Sequence, residues 1–383
     1  MIKTPLTAEP SLIDFYPYFY TEPKSQPKEI KADNLDFTKC RRFGISYMGS
    51  KNKIVKALIS QLPSAKYFID LFAGGCAMTH GAMLSGKYER FIANDIGDAP
   101  SLFQRAIKGE FRDEKRWISR DDFFALKDSD PYVRHIWSFG NRGAGYLYSK
   151  EIEPYKKAFW EFAVFKNAEP LRAYGFNVDE FLDLPTSYER RIAFRQHLAK
   201  IPFVDKKGSH FCYKPSELKK HKGFNNNTRL DHLERLASLE SLASLERLER
   251  LASLESLQSL EGLERLQSLE KQENFKSLEI HQGCYKEVEL PEPNECVIYC
   301  DPPYINSEGY HKQTLKNGKT SFNHGEFYDY VELLARRGYK VFISEYEMPK
   351  DRFKSVFFIE KRQTLNGKGA GAIKQEHLFM PIV

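Results

Sequence analysis

Apolar and polar positions follow helical and strand periods alternately in two separate parts of the chain. In the first part, Lys51–Leu62 places its apolar residues on one helical face, and Ala77–Leu84 predicts a second helix. Short apolar runs at Tyr67–Ala73 and Phe91–Ala93 flank that second helix and predict buried strands. This strand–helix–strand order predicts a parallel sheet.

The C-terminal part repeats the same pattern. Its predicted strands are Ser277–His281, Cys296–Cys300, Tyr339–Ser344, Val356–Lys361 and His377–Val383, and its clearest helix is Glu326–Arg337. We therefore expect an α/β fold with a mostly parallel sheet. Residues 120–230 lack this alternation of helical and strand patterns and are rich in Arg, aromatic residues and glycine, which indicates an insertion of different character.

Two further segments have patterns of their own. Residues 1–40 contain five prolines, which fix φ and remove N–H donors, so we expect an extended arm. From Leu230 to Leu269, leucine occupies every third position, fourteen times in succession. Because a helix turns by about 100° per residue, each leucine moves about 60° around it and no stable apolar face results. The repeat can be a helical protrusion, a partner-binding arm or idle length, and we favour idle length.

Length and cysteine usage narrow the class of protein. The chain has 383 residues, 41% of them hydrophobic, which is enough for one large core or two moderate ones. No run approaches the roughly 18–20 uncharged apolar residues that span a bilayer, and no secretory signal is evident, so we expect a cytoplasmic protein. The six cysteines are scattered without a CxxC pair, which favours free thiols over disulfides or a zinc site.

Charge is distributed unevenly along the chain. Residues 190–229 contain eleven Lys and Arg against two acidic residues, whereas residues 231–280 contain eleven acidic and six basic residues. Aromatic residues such as Phe211 and Tyr213 are interleaved with the basic ones, a composition that suits a polyanion such as nucleic acid. A solvated basic face is an equal alternative.

Two motifs in the first part follow predicted strands. Phe68–Gly75 is a strand that ends in a glycine turn, where a ligand can approach the backbone at the carboxyl edge of a parallel sheet. Asp95 ends the next strand, a position from which a carboxylate can accept both hydroxyls of a ribose. Neither a GxGxxG fingerprint nor a GK[ST] phosphate loop is present, so a nucleoside without a pyrophosphate fits better.

The sharpest motif is Asp301-Pro302-Pro303-Tyr304, directly after a predicted strand. Two consecutive prolines restrict the backbone, so the Asp301 carboxylate and the Pro302 carbonyl form a rigid pair of acceptors beside an aromatic ring. Such a pair can accept both hydrogens of an exocyclic amine while the Tyr304 ring stacks on the base. The simpler alternative is a Pro-Pro pair that only ends the strand.

In their order, these motifs resemble those of the Dam-type, α-class N6-adenine-specific DNA methyltransferases. Tyr47-Met48-Gly49-Ser50-Lys51 is similar to the first cofactor motif of that family, with Ser50 in place of its usual second glycine. Arg134–Tyr148 is similar to the segment that opens the target-recognition region. The resemblance covers roughly residues 43–150 and 280–383, and Glu345 stands where the family often has Asn.

The resemblance implies a Rossmann-like, S-adenosylmethionine-dependent methyltransferase fold with an inserted, largely helical target-recognition region. S-adenosylmethionine would be held by Tyr47, Lys51, Asp70, Phe72, Gly74, Asp95 and Asp301. Asp301, Pro302 and Tyr304 would act on the N6 amine of a flipped-out adenine, and no metal is implied. We expect double-stranded DNA to be bound by Asn141, Arg142, Lys206, Lys207, Lys219, Lys220 and Lys222.

The motifs and the composition together predict five parts of the chain. We expect an arm at 1–40, a catalytic domain in two halves at 41–120 and 272–383, target recognition at 121–229, and the leucine repeat at 230–271. We expect a monomer of bacterial or phage origin, whereas a cognate restriction endonuclease and the DNA site stay open.

Two alternatives remain: an RNA or protein amide-nitrogen methyltransferase of the same fold, and an inactive methylase-like scaffold that binds DNA. Lack of a Pro-Cys dipeptide disfavours a cytosine-C5 enzyme.

Overall fold

The computed structural model describes residues 36–141, 143–150, 152–174, 176–200, 202–204, 210–212, 255–267, 269, 277–304, 322–362 and 373–383. The strands are β1 (Tyr67–Asp70), β2 (Arg90–Asp95), β3 (Pro202–Val204), β4 (His210–Cys212), β5 (Leu278–Gln282), β6 (Cys296–Cys300), β7 (Lys340–Glu345), β8 (Phe353–Arg362) and β9 (Ile373–Pro381). The helices are α1 (Val55–Gln61), α2 (Ala77–Ser85), α3 (Ala99–Ile107), α4 (Arg120–Leu126), α5 (Pro131–Ile136), α6 (Glu153–Phe165), α7 (Glu169–Ala173), α8 (Ser187–Lys200), α9 (Glu255–Leu266) and α10 (His324–Arg336). Residues 1–35 of the predicted arm lie outside the described residues.

Seven of these strands form one sheet in the order β5-β2-β1-β6-β7-β9-β8. The first five are parallel to one another, and β9 is antiparallel to both of its neighbours. The strand β6 is buried at every position, which is why its sequence is a continuous apolar run rather than an alternating one. This architecture is consistent with the Rossmann-like methyltransferase fold that the resemblance implies, so the predicted fold class is confirmed.

The strand order creates a crevice between β1 and β6. From β1 the chain builds outward through β2 to β5, and it then returns to the other side of β1 as β6. The loops after these two neighbouring strands therefore diverge, and ligands of open α/β sheets bind at such a point, at the carboxyl ends of the strands. None of the described helices combines the length and the apolar composition that a membrane-spanning segment needs.

The insertion leaves the sheet after α3 and returns to it at β5. Its described part consists of helices α4 to α9 and an antiparallel pair formed by β3 and β4. Aromatic side chains form its core, where the rings of Trp137 and Trp160 lie 5.2 Å apart and those of Phe159 and Phe194 lie 4.8 Å apart. These four aromatic residues, which belong to the region without a regular helical pattern, therefore pack in the core of the insertion.

The end of the leucine repeat is a buried helix. Leu257, Leu260, Leu263, Leu266 and Leu269 all lie in the hydrophobic core. The expectation that the repeat has no face to bury is therefore wrong for residues 255–269. Across the four of these leucines that lie in α9, the drift of about 60° per step covers about half of the helix circumference, and α9 meets neighbours on several sides. It packs on α3 and α5, and Glu261 binds Arg191 of α8 at 2.6 Å. Residues 230–254 lie outside the described residues.

Removal of one of these leucines tests whether the repeat contributes to the core. Leu263 is 1% exposed, so Leu263→Ala is expected to lower the free energy of unfolding by about 2–5 kcal/mol. Urea unfolding of the full chain measures this loss. Leu333→Ala is the matched control, because Leu333 on α10 is 44% exposed and its truncation should change stability by no more than about 0.5 kcal/mol. Equal, small effects of both substitutions would show that α9 is not part of the core.

Candidate active site

A cavity of about 700 Å³ lies at the carboxyl ends of the parallel strands. Its walls come from the loops after β1, β2, β5 and β6, from the segment before α1 and from the start of α10. All seven residues that the sequence predicted for cofactor binding line it: Tyr47, Lys51, Asp70, Phe72, Gly74, Asp95 and Asp301. The volume is within the range of pockets that enclose small-molecule ligands. Of the predicted catalytic residues, Asp301 lines the cavity, whereas the buried Pro302 and the half-buried Tyr304 are not among its lining residues.

The glycine turn after β1 is locked to the segment before α1. Gly74 has φ +48°, and a Cβ atom at this position would lie 2.9 Å from Cε1 of the Tyr47 ring. The Gly75 carbonyl accepts a hydrogen bond from the Ile45 N–H at 2.9 Å. A side chain at Gly74 would therefore need both a strained backbone and a displaced tyrosine. This close approach makes the turn and Tyr47 one rigid wall of the cavity.

The departure at Ser50 from the family pattern does not disturb the backbone. Gly49 takes the left-handed conformation with φ +79°, whereas Ser50 is not among the residues with positive φ. Only the first position of the pair therefore requires glycine, and serine fits the second. The chain then reaches Lys51, whose backbone carbonyl accepts from the N–H of Val55 at 3.0 Å and begins α1.

Asp70 is a buried carboxyl group at the end of β1. Its Oδ2 accepts a hydrogen bond from the Thr79 hydroxyl at 2.8 Å, and its Oδ1 has no hydrogen-bond partner among the described residues. Burial raises the pKa of Asp70 to about 7, and the charges of Asp301 and Asp95 act in the same direction. A buried, unsatisfied acceptor with a perturbed pKa beside a cavity is typical of a ligand-binding position.

Asp95 organises the loops as well as facing the cavity. Its two carboxylate oxygens accept the backbone N–H groups of Gly74 and Gly97, each at 2.8 Å. Burial raises the pKa of Asp95, and these two hydrogen bonds oppose that effect. Each oxygen retains a further lone pair with which it can accept a ligand hydroxyl.

Lys51, from the segment before α1, contacts the Asp-Pro-Pro-Tyr motif, which lies far from it in the sequence. Its ammonium lies 2.6 Å from both carboxylate oxygens of Asp301 and 4.7 Å from the centroid of the Tyr304 ring. The sequence assigned Lys51 to cofactor binding alone, whereas the structure also places its charge on the carboxylate of the Asp-Pro-Pro-Tyr motif. Because 250 residues separate the two side chains in the chain, only the fold brings them together.

A buried glutamate on β9 completes this cluster and was missed in the sequence. Glu376 Oε1 lies 3.4 Å from the Lys51 ammonium and accepts a hydrogen bond from the Tyr304 hydroxyl. Burial raises the pKa of Tyr304, and the nearby charges of Asp301 and Glu376 add to this effect, so the phenol keeps its proton and donates. No local signal marks Glu376, which lies one residue before the predicted strand His377–Val383, and β9 begins earlier than predicted, at Ile373.

An aromatic wall was also missed. The Phe72 ring lies 5.1 Å from that of Tyr285, after β5, and 5.7 Å from that of Phe322, just before α10. At the cavity rim Lys286 forms an ion pair with Glu326. Tyr285 follows a predicted strand of the parallel sheet, and that placement could have identified it. Phe322 precedes a helix and carried no such signal.

The residues predicted to bind DNA are described only in part. The Asn141 side-chain amide donates to the His135 carbonyl at 2.5 Å, near the end of α5, and the His135 ring lies 6.0 Å from that of Tyr47. Asn141 therefore stabilises the loop that joins the insertion to the cavity rim, and its contact with DNA stays a prediction. Arg142, Lys206, Lys207, Lys219, Lys220 and Lys222 lie outside the described residues.

Two residues of the predicted basic segment 190–229 serve the protein interior. Arg190 and Arg191 at the start of α8 are buried. Arg190 donates to the Ala163 carbonyl at 2.8 Å, and Arg191 forms the ion pair with Glu261 of α9. The net charge counted from the sequence of this segment therefore overstates the positive charge that is available to bind a polyanion.

Comparison with known proteins supports the resemblance carried by the motifs. Residues 47–139 match the family described as D12 class N6 adenine-specific DNA methyltransferase. The matched range contains the segment before α1, the glycine turn and Asp95, and it ends before β6 and the Asp301 motif. The resemblance is thus confirmed for residues 47–139, which form the cavity walls before α1 and after β1 and β2. No curated protein matches the chain.

Substitution of Asp70 by Asn tests the buried carboxyl through the pH dependence of stability. With a pKa of about 7 in the folded protein and about 3.9 when unfolded, this group keeps its proton only in the folded state between those pH values. Folded-state stability therefore falls as the pH rises through this window, by about 1.4 kcal/mol per pH unit, and the loss persists above it.

Asp70→Asn lacks this ionisation and keeps an acceptor for Thr79. Its stability relative to the unchanged protein should therefore increase between about pH 4 and about pH 7 and stay constant above that range, measured by urea unfolding. Stability profiles that run parallel across this range would contradict the buried, raised-pKa carboxyl.

Proposed function

We propose that the chain transfers a methyl group from S-adenosylmethionine to N6 of a flipped-out adenine in double-stranded DNA. The observation that carries the proposal is the position of Asp301 on the cavity to which the matched range 47–139 contributes the segment before α1 and the loops after β1 and β2. In the proposal, the cofactor and the amine that Asp301 accepts therefore meet in one cavity.

The residues of the cavity suit S-adenosylmethionine. When bound, this group supplies an electrophilic methyl group on a positively charged sulfonium. The lining offers carboxyl groups at Asp70, Asp95 and Asp301, and the unsatisfied Oδ1 of Asp70 is an acceptor that requires a donor or a cation. In the proposal Asp95 accepts the ribose hydroxyls, and the aromatic wall that contains Phe72 packs on the adenine ring of the cofactor.

Asp301 and the Pro302 carbonyl orient the amine of the target base. Each accepts one of the two N–H groups, which draws the nitrogen lone pair out of conjugation with the ring and fixes its direction. The Asp301 side chain is 20% exposed, whereas Lys51 is 5% exposed, so of the two Asp301 reaches further toward an incoming base. Pre-organised acceptors and orientation, rather than a strong base, supply the rate enhancement in this scheme.

The target adenine must leave the duplex to reach this point, at a cost of a few kcal/mol. In the proposal it stacks on the face of the Tyr304 ring opposite to Lys51. The insertion adjoins the cavity rim through the contacts of His135 with Tyr47 and of Gly140 with Met48. DNA bound by the insertion would therefore lie close to the cavity mouth.

Asp301→Ala tests the proposed chemistry. Loss of the charged acceptor is expected to lower methyl transfer by at least about 100-fold at saturating S-adenosylmethionine. The fold should be retained, because Glu376 still lies 3.4 Å from the Lys51 ammonium. The measurement is transfer of labelled methyl groups to unmethylated DNA, followed by identification of the modified nucleoside. Asp329→Ala is the control, since Asp329 is an exposed carboxylate on α10 that binds Arg352.

The outcomes separate the proposed function from its alternatives. Label on adenine N6 within a fixed short sequence that disappears in Asp301→Ala supports the proposal. Near-normal transfer by Asp301→Ala would refute the role of the Asp-Pro-Pro-Tyr motif. Label on RNA or on protein instead of DNA would favour the other acceptors, and a chain that binds no cofactor would be an inactive scaffold.

Salt dependence tests the contribution of the basic segment to DNA binding. If Lys219, Lys220 and Lys222 contact phosphates, their joint substitution by Ala should reduce the slope of log K against log salt by about 0.9 per lost contact. Fluorescence anisotropy of labelled duplex DNA at several salt concentrations measures this slope. The matched control substitutes three exposed lysines outside the insertion, Lys340, Lys350 and Lys354. An unchanged slope in the first variant would place the DNA elsewhere.

A further inference from the structure

Glu376 is a buried carboxylate that the proposed chemistry does not use. Its side chain has no exposure, and it lies on β9 of the sheet, in contact with Tyr304 of the Asp-Pro-Pro-Tyr segment. Oε1 faces the Lys51 ammonium and the Tyr304 hydroxyl, whereas Oε2 has no hydrogen-bond partner among the described residues. A half-satisfied buried carboxylate costs free energy, so its presence is poorly explained by stability.

Glu376 changes the balance of charge around the Lys51 ammonium. Within the four side chains of Lys51, Asp301, Tyr304 and Glu376, two carboxylates face one ammonium. If Asp301 were the sole anion for Lys51, the close contact at 2.6 Å would neutralise the acceptor that the target amine needs. A second, fully buried carboxylate 3.4 Å from the same ammonium shares that positive charge. Asp301 thereby keeps part of its negative potential toward the cavity.

We propose that Glu376 is a positioning residue that shares the positive charge of Lys51 with Asp301, to which the ammonium is paired at 2.6 Å, and thus preserves Asp301 as an acceptor for the target amine. Glu376 touches neither the base nor the cofactor in this scheme and acts through Lys51. Its hydrogen bond from Tyr304 fixes the ring beside the same acceptor. This inference rests on the proposed function and names a residue that it did not include.

Glu376→Gln isolates the charge. The amide oxygen of Gln can still accept the Tyr304 hydroxyl, so the substitution removes the negative charge while it keeps the size and one acceptor. We expect kcat for DNA methylation to fall on the order of 10- to 100-fold, with the dissociation constant of S-adenosylmethionine measured by calorimetry unchanged. Because the variant removes a buried charge but leaves Lys51 paired with Asp301, its melting temperature should be equal to or higher than that of the unchanged protein.

Two further variants make this test specific. Glu332→Gln is the control, since Glu332 is a partly buried carboxylate on α10 that binds Arg352 at 2.6 Å. It should leave kcat unchanged. In a Lys51→Met background, Glu376→Gln should have little further effect on kcat, because the residue through which it acts is already absent.

The results separate this inference from the proposed function. An unchanged protein that methylates no adenine would overturn the proposed function and, with it, this inference. An active unchanged protein with an equally active Glu376→Gln variant would overturn the inference alone. A joint fall of kcat and melting temperature would assign Glu376 a purely structural role, and an undiminished effect in the Lys51→Met background would overturn the route through Lys51.

Discussion

The parallel register of β1 with β2 and β6 is the constraint on which the site depends. Asp70 at the end of β1 lies level with Ala93 of β2 and with Tyr299 of β6. This register brings the residues that follow each strand, Asp95 and Asp301 among them, to the same edge of the sheet. A shift of one residue would turn each strand's side chains to the opposite face. The cavity therefore exists because three apolar runs pair in one alignment.

The interior of the site carries more acidic groups than stability alone would favour. Burial raises the pKa of Asp70 to about 7, and the fully enclosed Glu376 has one oxygen without a hydrogen-bond partner in the part of the chain that the structure describes. Groups of this kind cost free energy in the folded state unless a ligand or a partner compensates them. Their concentration around one cavity, next to the Lys51–Asp301 ion pair, is the pattern expected where binding and orientation take precedence over stability.

The insertion combines a structural interior with a functional edge. Its aromatic side chains and the leucines of α9 form a core continuous with that of the sheet domain. That core supports the end of α5, where His135 approaches Tyr47 at the cavity rim. A rigid connection between the insertion and the rim would allow DNA held by the insertion to meet the cavity in one orientation.

The local pattern of apolar and polar residues was sufficient to predict the strands, which depend on residues close together in the sequence. Every predicted strand has a counterpart in the sheet. Asp95 and Asp301 were identified because ligands bind at the strand ends of a parallel sheet, whereas Asp70 was identified through the family resemblance. Tertiary structure alone decided the rest. Glu376 is one position among others in its strand, and its meeting with Lys51 depends on packing between segments more than 300 residues apart in the printed sequence. The leucine repeat shows the same limit: its period offers no single apolar face, and only neighbours on several sides of α9 make its burial possible.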